Sequence, residues 1–127
     1  MTISSTLLVD TKVNVLVKGT GVGNESEQIL INASTLNEAT NESILSISSL
    51  HYDIKGTGKV KILFQGDTNI EVIELTGRGQ YGKRLNEPEL LNETVNTNGN
   101  ILVTTDNNVT SYVILLEANK KDGFING

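Results

Sequence analysis

The chain contains no cysteine and no tryptophan, and only one histidine, one methionine and one proline among its 127 residues. Without thiols there are no disulfides, no thiolate metal ligands and no cysteine nucleophile. The redox compartment is left open, with synthesis in a reducing cytosol the natural expectation. Aromatic residues are scarce, three Tyr and two Phe, which argues against the stacking platforms on which sugar-binding clefts commonly rely. Basic side chains are outnumbered, ten against fifteen acidic, for a formal net charge of -5. That balance opposes attachment to phosphate backbones or anionic lipid, so neither nucleic acid nor membrane surface is an expected partner. Apolar runs such as Val113-Ile114-Leu115-Leu116 fall far short of the ~20 residues of a membrane span. The first eight residues lack the basic start of a signal peptide.

What the sequence does have is alternation. In Lys12-Val13-Asn14-Val15-Leu16-Val17-Lys18 the valines share one face, and in Lys59-Val60-Lys61-Ile62-Leu63-Phe64-Gln65 the set Val60, Ile62 and Phe64 does so opposite two lysines. Further β-branched apolar runs lie at 28–31, 44–54, 70–75, 101–105 and 109–117, divided by Gly19-Thr20-Gly21-Val22-Gly23, Gly56-Thr57-Gly58, Gly66-Asp67, Gly77-Arg78-Gly79 and Asp106-Asn107-Asn108. Within 44–54 the apolar phase slips from Leu45 and Ile47 to Leu50, Tyr52 and Ile54, which predicts a bulge or bend near Ser48-Ser49. Helix is expected only as short turns at 34–39 and 87–91, the latter capped by Asn86 with Pro88 near its start. About eight short strands with almost no helix predict an all-β fold, a single β-sandwich with jelly-roll-like or Greek-key connections.

Two segments break the rhythm. Residues 1–11 carry Ile3, Leu7, Leu8 and Val9 outside the turn-and-strand pattern and read as an N-terminal arm before a sandwich domain at 12–127. Residues 82–99 form a connection too long to be idle in a compact domain. With the flanking Arg78 and Tyr81, this loop offers Lys83, Arg84, Leu90 and Leu91 as contact residues. The basic cluster reads either as solvated loop charge or as a contact to an acidic patch on a partner.

Catalytic chemistry finds little support. His51 has no second histidine or cysteine to join it, no Gly-x-Ser-x-Gly elbow is present, and the 19–23 glycine run has neither the lysine nor the following helix of a phosphate loop, leaving a hairpin turn as its reading. Glu71 with Glu74, or Glu87 with Glu89, could be imagined as a glycosidase pair, but without the aromatics of a sugar cleft. Asp67, Asn69, Asp106, Asn107 and Asn108 are oxygen donors of the kind calcium favours, yet their spacing matches no complete site and Asx-rich turns account for them equally. No enzyme, cofactor or metal is expected.

The order Ser49-Leu50-His51-Tyr52-Asp53-Ile54, Val60-Lys61-Ile62-Leu63-Phe64, Ile73-Glu74-Leu75-Thr76-Gly77-Arg78-Gly79, Gly99-Asn100-Ile101-Leu102-Val103-Thr104-Thr105 and Ser111-Tyr112-Val113-Ile114-Leu115-Leu116-Glu117 resembles small β-sandwich virion proteins of tailed phages infecting marine bacteria. Phe64 and Asn100 stand where that pattern has Trp and Asp. The resemblance implies a capsid decoration protein, made in the host cytoplasm and bound to the head exterior, with the major capsid protein or other virion proteins as partners and no reaction to perform. The arm would add a strand to a partner's sheet edge. Self-association as a dimer or trimer would protect sheet edges equally well. The competing expectation is a carbohydrate-binding, host-adhesion or fibre module, which requires Tyr52, Tyr81 and Tyr112 to gather in one groove.

Overall fold

The computed structural model describes residues 4–11, 14–23, 26–32, 36, 45–82, 87–88, 90–91 and 99–120. They form nine strands: β1 (Ser4–Asp10), β2 (Asn14–Gly21), β3 (Gln28–Ile31), β4 (Leu45–Gly56), β5 (Val60–Phe64), β6 (Ile70–Leu75), β7 (Arg78–Gly82), β8 (Ile101–Thr105) and β9 (Val109–Lys120). There is no helix among the described residues. Five strands make one sheet in the order β1-β2-β9-β4-β7, and four make the other in the order β3-β8-β5-β6. Every pairing is antiparallel. The pairings β5 with β6, β4 with β7, β3 with β8 and β2 with β9 describe one long antiparallel ribbon, doubled back at β5–β6 and wound about a core. That winding is the jelly roll.

Alternation dictates which side of each strand is buried. In β5 the pattern Val60, Ile62, Phe64 is buried while Lys61 and Leu63 are half-buried. In β9 the alternate residues Tyr112, Ile114, Leu116 and Ala118 are fully enclosed. With Leu50, Ile54, Val15, Val17, Ile101 and Val103 they form a single core between the sheets. Each of the larger aliphatic side chains among them contributes roughly 1.5–3 kcal/mol of burial, so the two faces adhere without any cross-link.

The phase slip in β4 is a bulge. Ile47 pairs with Ala118 and Ser49 with Glu117, leaving Ser48 as the extra residue. Ser48 is 2% exposed, and its hydroxyl donates to the carbonyl oxygen and to the Oε1 of Glu117, both at 3.1 Å. The inserted residue is therefore a small polar one whose hydroxyl is satisfied on the neighbouring strand.

Three expectations are corrected. The arm is not separate from the sandwich: Ser4–Asp10 is β1, paired along β2 with a bulge at Leu8. Its turn is held by Lys120, whose enclosed ammonium meets Asp10 at 2.6 Å and the Thr11 carbonyl oxygen at 2.5 Å. The 19–23 glycine run is not a hairpin turn. Residues 19–21 belong to β2, and Gly23 passes so close to the next turn that an added Cβ would lie 2.1 Å from the Val109 carbonyl oxygen. In place of a helical turn at 87–91, Leu90 exchanges backbone hydrogen bonds with Ile47 at 2.8 and 2.9 Å, a β-bridge. Of the expected turn at 34–39, only Leu36 lies among the described residues.

Candidate binding surfaces

The two outer edges of the five-stranded sheet hold the residues singled out for partner contact. Leu7, Leu8 and Val9 lie on β1, exposed to 48%, 49% and 39%. Their placement follows from the bulge: Leu7 pairs with Val17 and Val9 with Leu16, so the two side chains take opposite faces and Leu8 stands unpaired between them. Beside β1 runs the edge strand β3 of the other sheet, with Ile29 also exposed. A groove of about 170 Å³ opens between these edges, lined by Ser5, Leu7, Val17, Ile29, Leu30, Ile31, Asn32 and Leu36. Ile3 lies outside the described residues.

Arg78 and Tyr81 lie on β7, at the opposite edge. Three strands intervene, roughly 19 Å at about 4.8 Å per strand, so the two residue sets do not form one contact surface. Tyr81 is half-buried against the core, and its hydroxyl donates to the Pro88 carbonyl oxygen at 2.8 Å. Leu90 is likewise half-buried against the core. These two side chains take part in the domain's own packing and keep part of their surface exposed. Leu91 is exposed, and Lys83 and Arg84 lie outside the described residues. At the end of β7, Gly82 has φ of 123°, and a Cβ there would lie 2.2 Å from the Ser48 carbonyl oxygen. Only glycine fits between β7 and the β4 bulge.

The other polar candidates are occupied by structure. Asp67 and Asn69 follow β5 while Asp106 to Asn108 follow β8; because Phe64 pairs with Ile101 and Val60 with Thr105, the two turns sit at opposite ends of their sheet and cannot share an ion. Asp106 accepts the Asn108 and Lys59 amides at 2.9 and 3.1 Å, and Asn69 donates its side-chain amide to Glu27. Glu71 and Glu74 ion-pair with Lys61 and Lys59 across β5 and β6, at 3.6 and 3.3 Å. Glu87 accepts the Gly82 amide at 3.1 Å. Tyr112 is 1% exposed, so the three tyrosines do not gather in a groove.

A second concavity, which the sequence reading did not assemble, lies on the outer face of the five-stranded sheet. A cleft of about 420 Å³ is lined by His51, Tyr52, Asp53, Arg78, Gly79, Gln80, Val113 and Leu115. Register explains it. His51 pairs with Gln80 on one side and Leu115 on the other, while Asp53 pairs with Arg78 and Val113. The result is a grid of three columns, with β7 amide and guanidinium, β4 imidazole and carboxylate, and β9 aliphatic side chains. The legible signal was the parity of His51 and Asp53, opposite to Leu50, Tyr52 and Ile54.

No family model matches the chain, and no curated protein matches it. Among solved structures, the Schizosaccharomyces pombe Cnp3 cupin domain matches with a TM-score of 0.42 at 10% identity, covering 95% of this chain. This chain in turn spans 62% of that structure's length.

Proposed function

We propose that the chain is a non-catalytic assembly domain of a tailed-phage virion, a decoration protein that binds the outside of the major capsid protein lattice. One observation carries the assembly part of this reading, namely the β1 edge. It presents a row of backbone donors and acceptors, three exposed apolar side chains and no exposed charge, since its one ionised residue, Asp10, is turned to Lys120. A strand edge of that composition pairs with another extended segment unless something guards it. Among the described residues the guard on β1 is the bulge at Leu8, which leaves Ser4 to Leu7 in regular register with β2. A partner segment added there gains backbone hydrogen bonds for affinity and side-chain pockets for register, and the groove beside Leu7 is placed to receive one apolar side chain. The virion setting rests on the resemblance of the strand sequences, because a jelly roll by itself serves many functions.

The test is co-sedimentation with purified heads of the phage that carries the protein. The wild-type chain should pellet at a fixed ratio to the shell protein. Leu8→Lys, which charges the edge without touching the core, should remain in the supernatant. Failure of the wild-type chain to pellet would overturn the virion reading. Equal pelleting of Leu8→Lys would overturn the role of β1.

A further inference from the structure

We infer that the cleft on the outer face of the five-stranded sheet binds a small acidic sugar, with Arg78 receiving its carboxylate. The inference stands on a different surface from β1 and does not depend on the reading above. The cleft's volume of about 420 Å³ falls in the range of small-ligand sites. Its side chains are also poorly engaged by the protein: among the described residues His51, Arg78 and Gln80 have no side-chain hydrogen bond or ion pair, whereas Asp53 is held by Lys55 at 3.4 Å. Arg78 is thus a cleft cation without an ion pair among the described residues, although Asp53 faces it across the strands, in a chain whose net charge is -5. A guanidinium so placed pairs best with a planar carboxylate, through two parallel N–H donors.

The rest of the grid specifies what the carboxylate is attached to. Val113 and Leu115 form an aliphatic column, and Val113 is 40% exposed although it sits on the central strand of the sheet. This column offers an apolar seat to one face of a ring. Between it and the β7 column stand His51 and Asp53, and Gln80 lies two residues along β7 from Arg78; these groups both donate and accept or accept only. They are spaced across strands at roughly 4.5–5.5 Å, which suits hydroxyl groups distributed around a ring. A ligand with one apolar face, several hydroxyls and one carboxylate uses all three columns. A simple carboxylate uses only the first, and a neutral hexose leaves Arg78 unanswered.

His51 is the sole histidine, so its imidazole signals give an unambiguous NMR reporter inside the cleft. Titrating the full chain with glucuronate should move those signals together with the Val113 and Leu115 methyls, saturating at concentrations on the order of millimolar. Glucose and acetate at the same concentrations should produce less than a tenth of the shift. Arg78→Gln, an exposed change on an edge strand, should weaken glucuronate binding at least about tenfold while amide signals outside the cleft stay in place. No response to glucuronate, an equal response to acetate, or unchanged binding by Arg78→Gln would each overturn the inference.

Discussion

The two edges of the five-stranded sheet differ in almost every respect that controls strand pairing. β7 is short, rich in glycine and marked by Arg78, and beyond it the chain returns so that Leu90 pairs with Ile47, continuing the cover on β4 after β7 has ended. Tyr81 and Glu87 fasten that return to β7 at both sides of Gly82. β1 has none of these devices. It is held to the domain by β2 along its length and by Lys120 at its turn, its own residues leave no charge exposed, and among the described residues no strand pairs with its outer side. Edges are guarded where pairing is unwanted, and this contrast is what the proposed partner role of β1 rests on.

Four substitutions sharpen or break this contrast, in falling order of their effect on stability. Gly82→Ala forces a Cβ against the Ser48 carbonyl oxygen at a left-handed φ, and it should cost about 3–4 kcal/mol in urea unfolding. An unchanged midpoint would mean that β7 is not locked at the bulge. Lys120→Met leaves Asp10 without its ammonium and should cost about 2–3 kcal/mol. That is less than for a fully enclosed pair, since Asp10 keeps 12% exposure. The double variant with Asp10→Leu should recover most of that loss, and its failure to do so would show that Lys120 acts by packing alone. Tyr81→Phe removes one hydrogen bond to Pro88 and should cost about 1 kcal/mol, seen most directly as faster hydrogen exchange of the Leu90 amide. Leu8→Lys should leave thermal stability within about 0.5 kcal/mol while abolishing association with the partner. A large stability loss there would show that Leu8 belongs to the core.

Sequence pattern located most strands because their burial is one-sided. Gln28–Ile31, Ile70–Leu75 and Ile101–Thr105 are legible to the residue, and the slip between Ile47 and Leu50 located the bulge within β4. The two strands that went unread are the edges β1 and β7. Leu7, Leu8 and Val9 follow one another without alternation because the bulge turns them to different sides, and Arg78-Gly79-Gln80-Tyr81-Gly82 reads as turn punctuation because an edge strand has little apolar surface to bury. The cleft was illegible for a different reason. His51, Arg78 and Val113 meet only through the register of β4 with β7 and β9, and pairing between segments far apart in sequence leaves no local mark.

The position of β9 bears on how the protein is made. It lies in the middle of its sheet, between β2 and β4, yet it follows both in the chain. During synthesis, which adds residues from the N-terminus at roughly 5–20 per second, β2 and β4 emerge well before the strand that joins them. Each then offers an open apolar edge to whatever else is in the cell. The sheet carrying both β1 and the cleft comes into being only when β9 slides between its neighbours, so a product cut short before Val109 keeps β1 and the β4 and β7 sides of the cleft but lacks Val113, Leu115 and the strand that joins them.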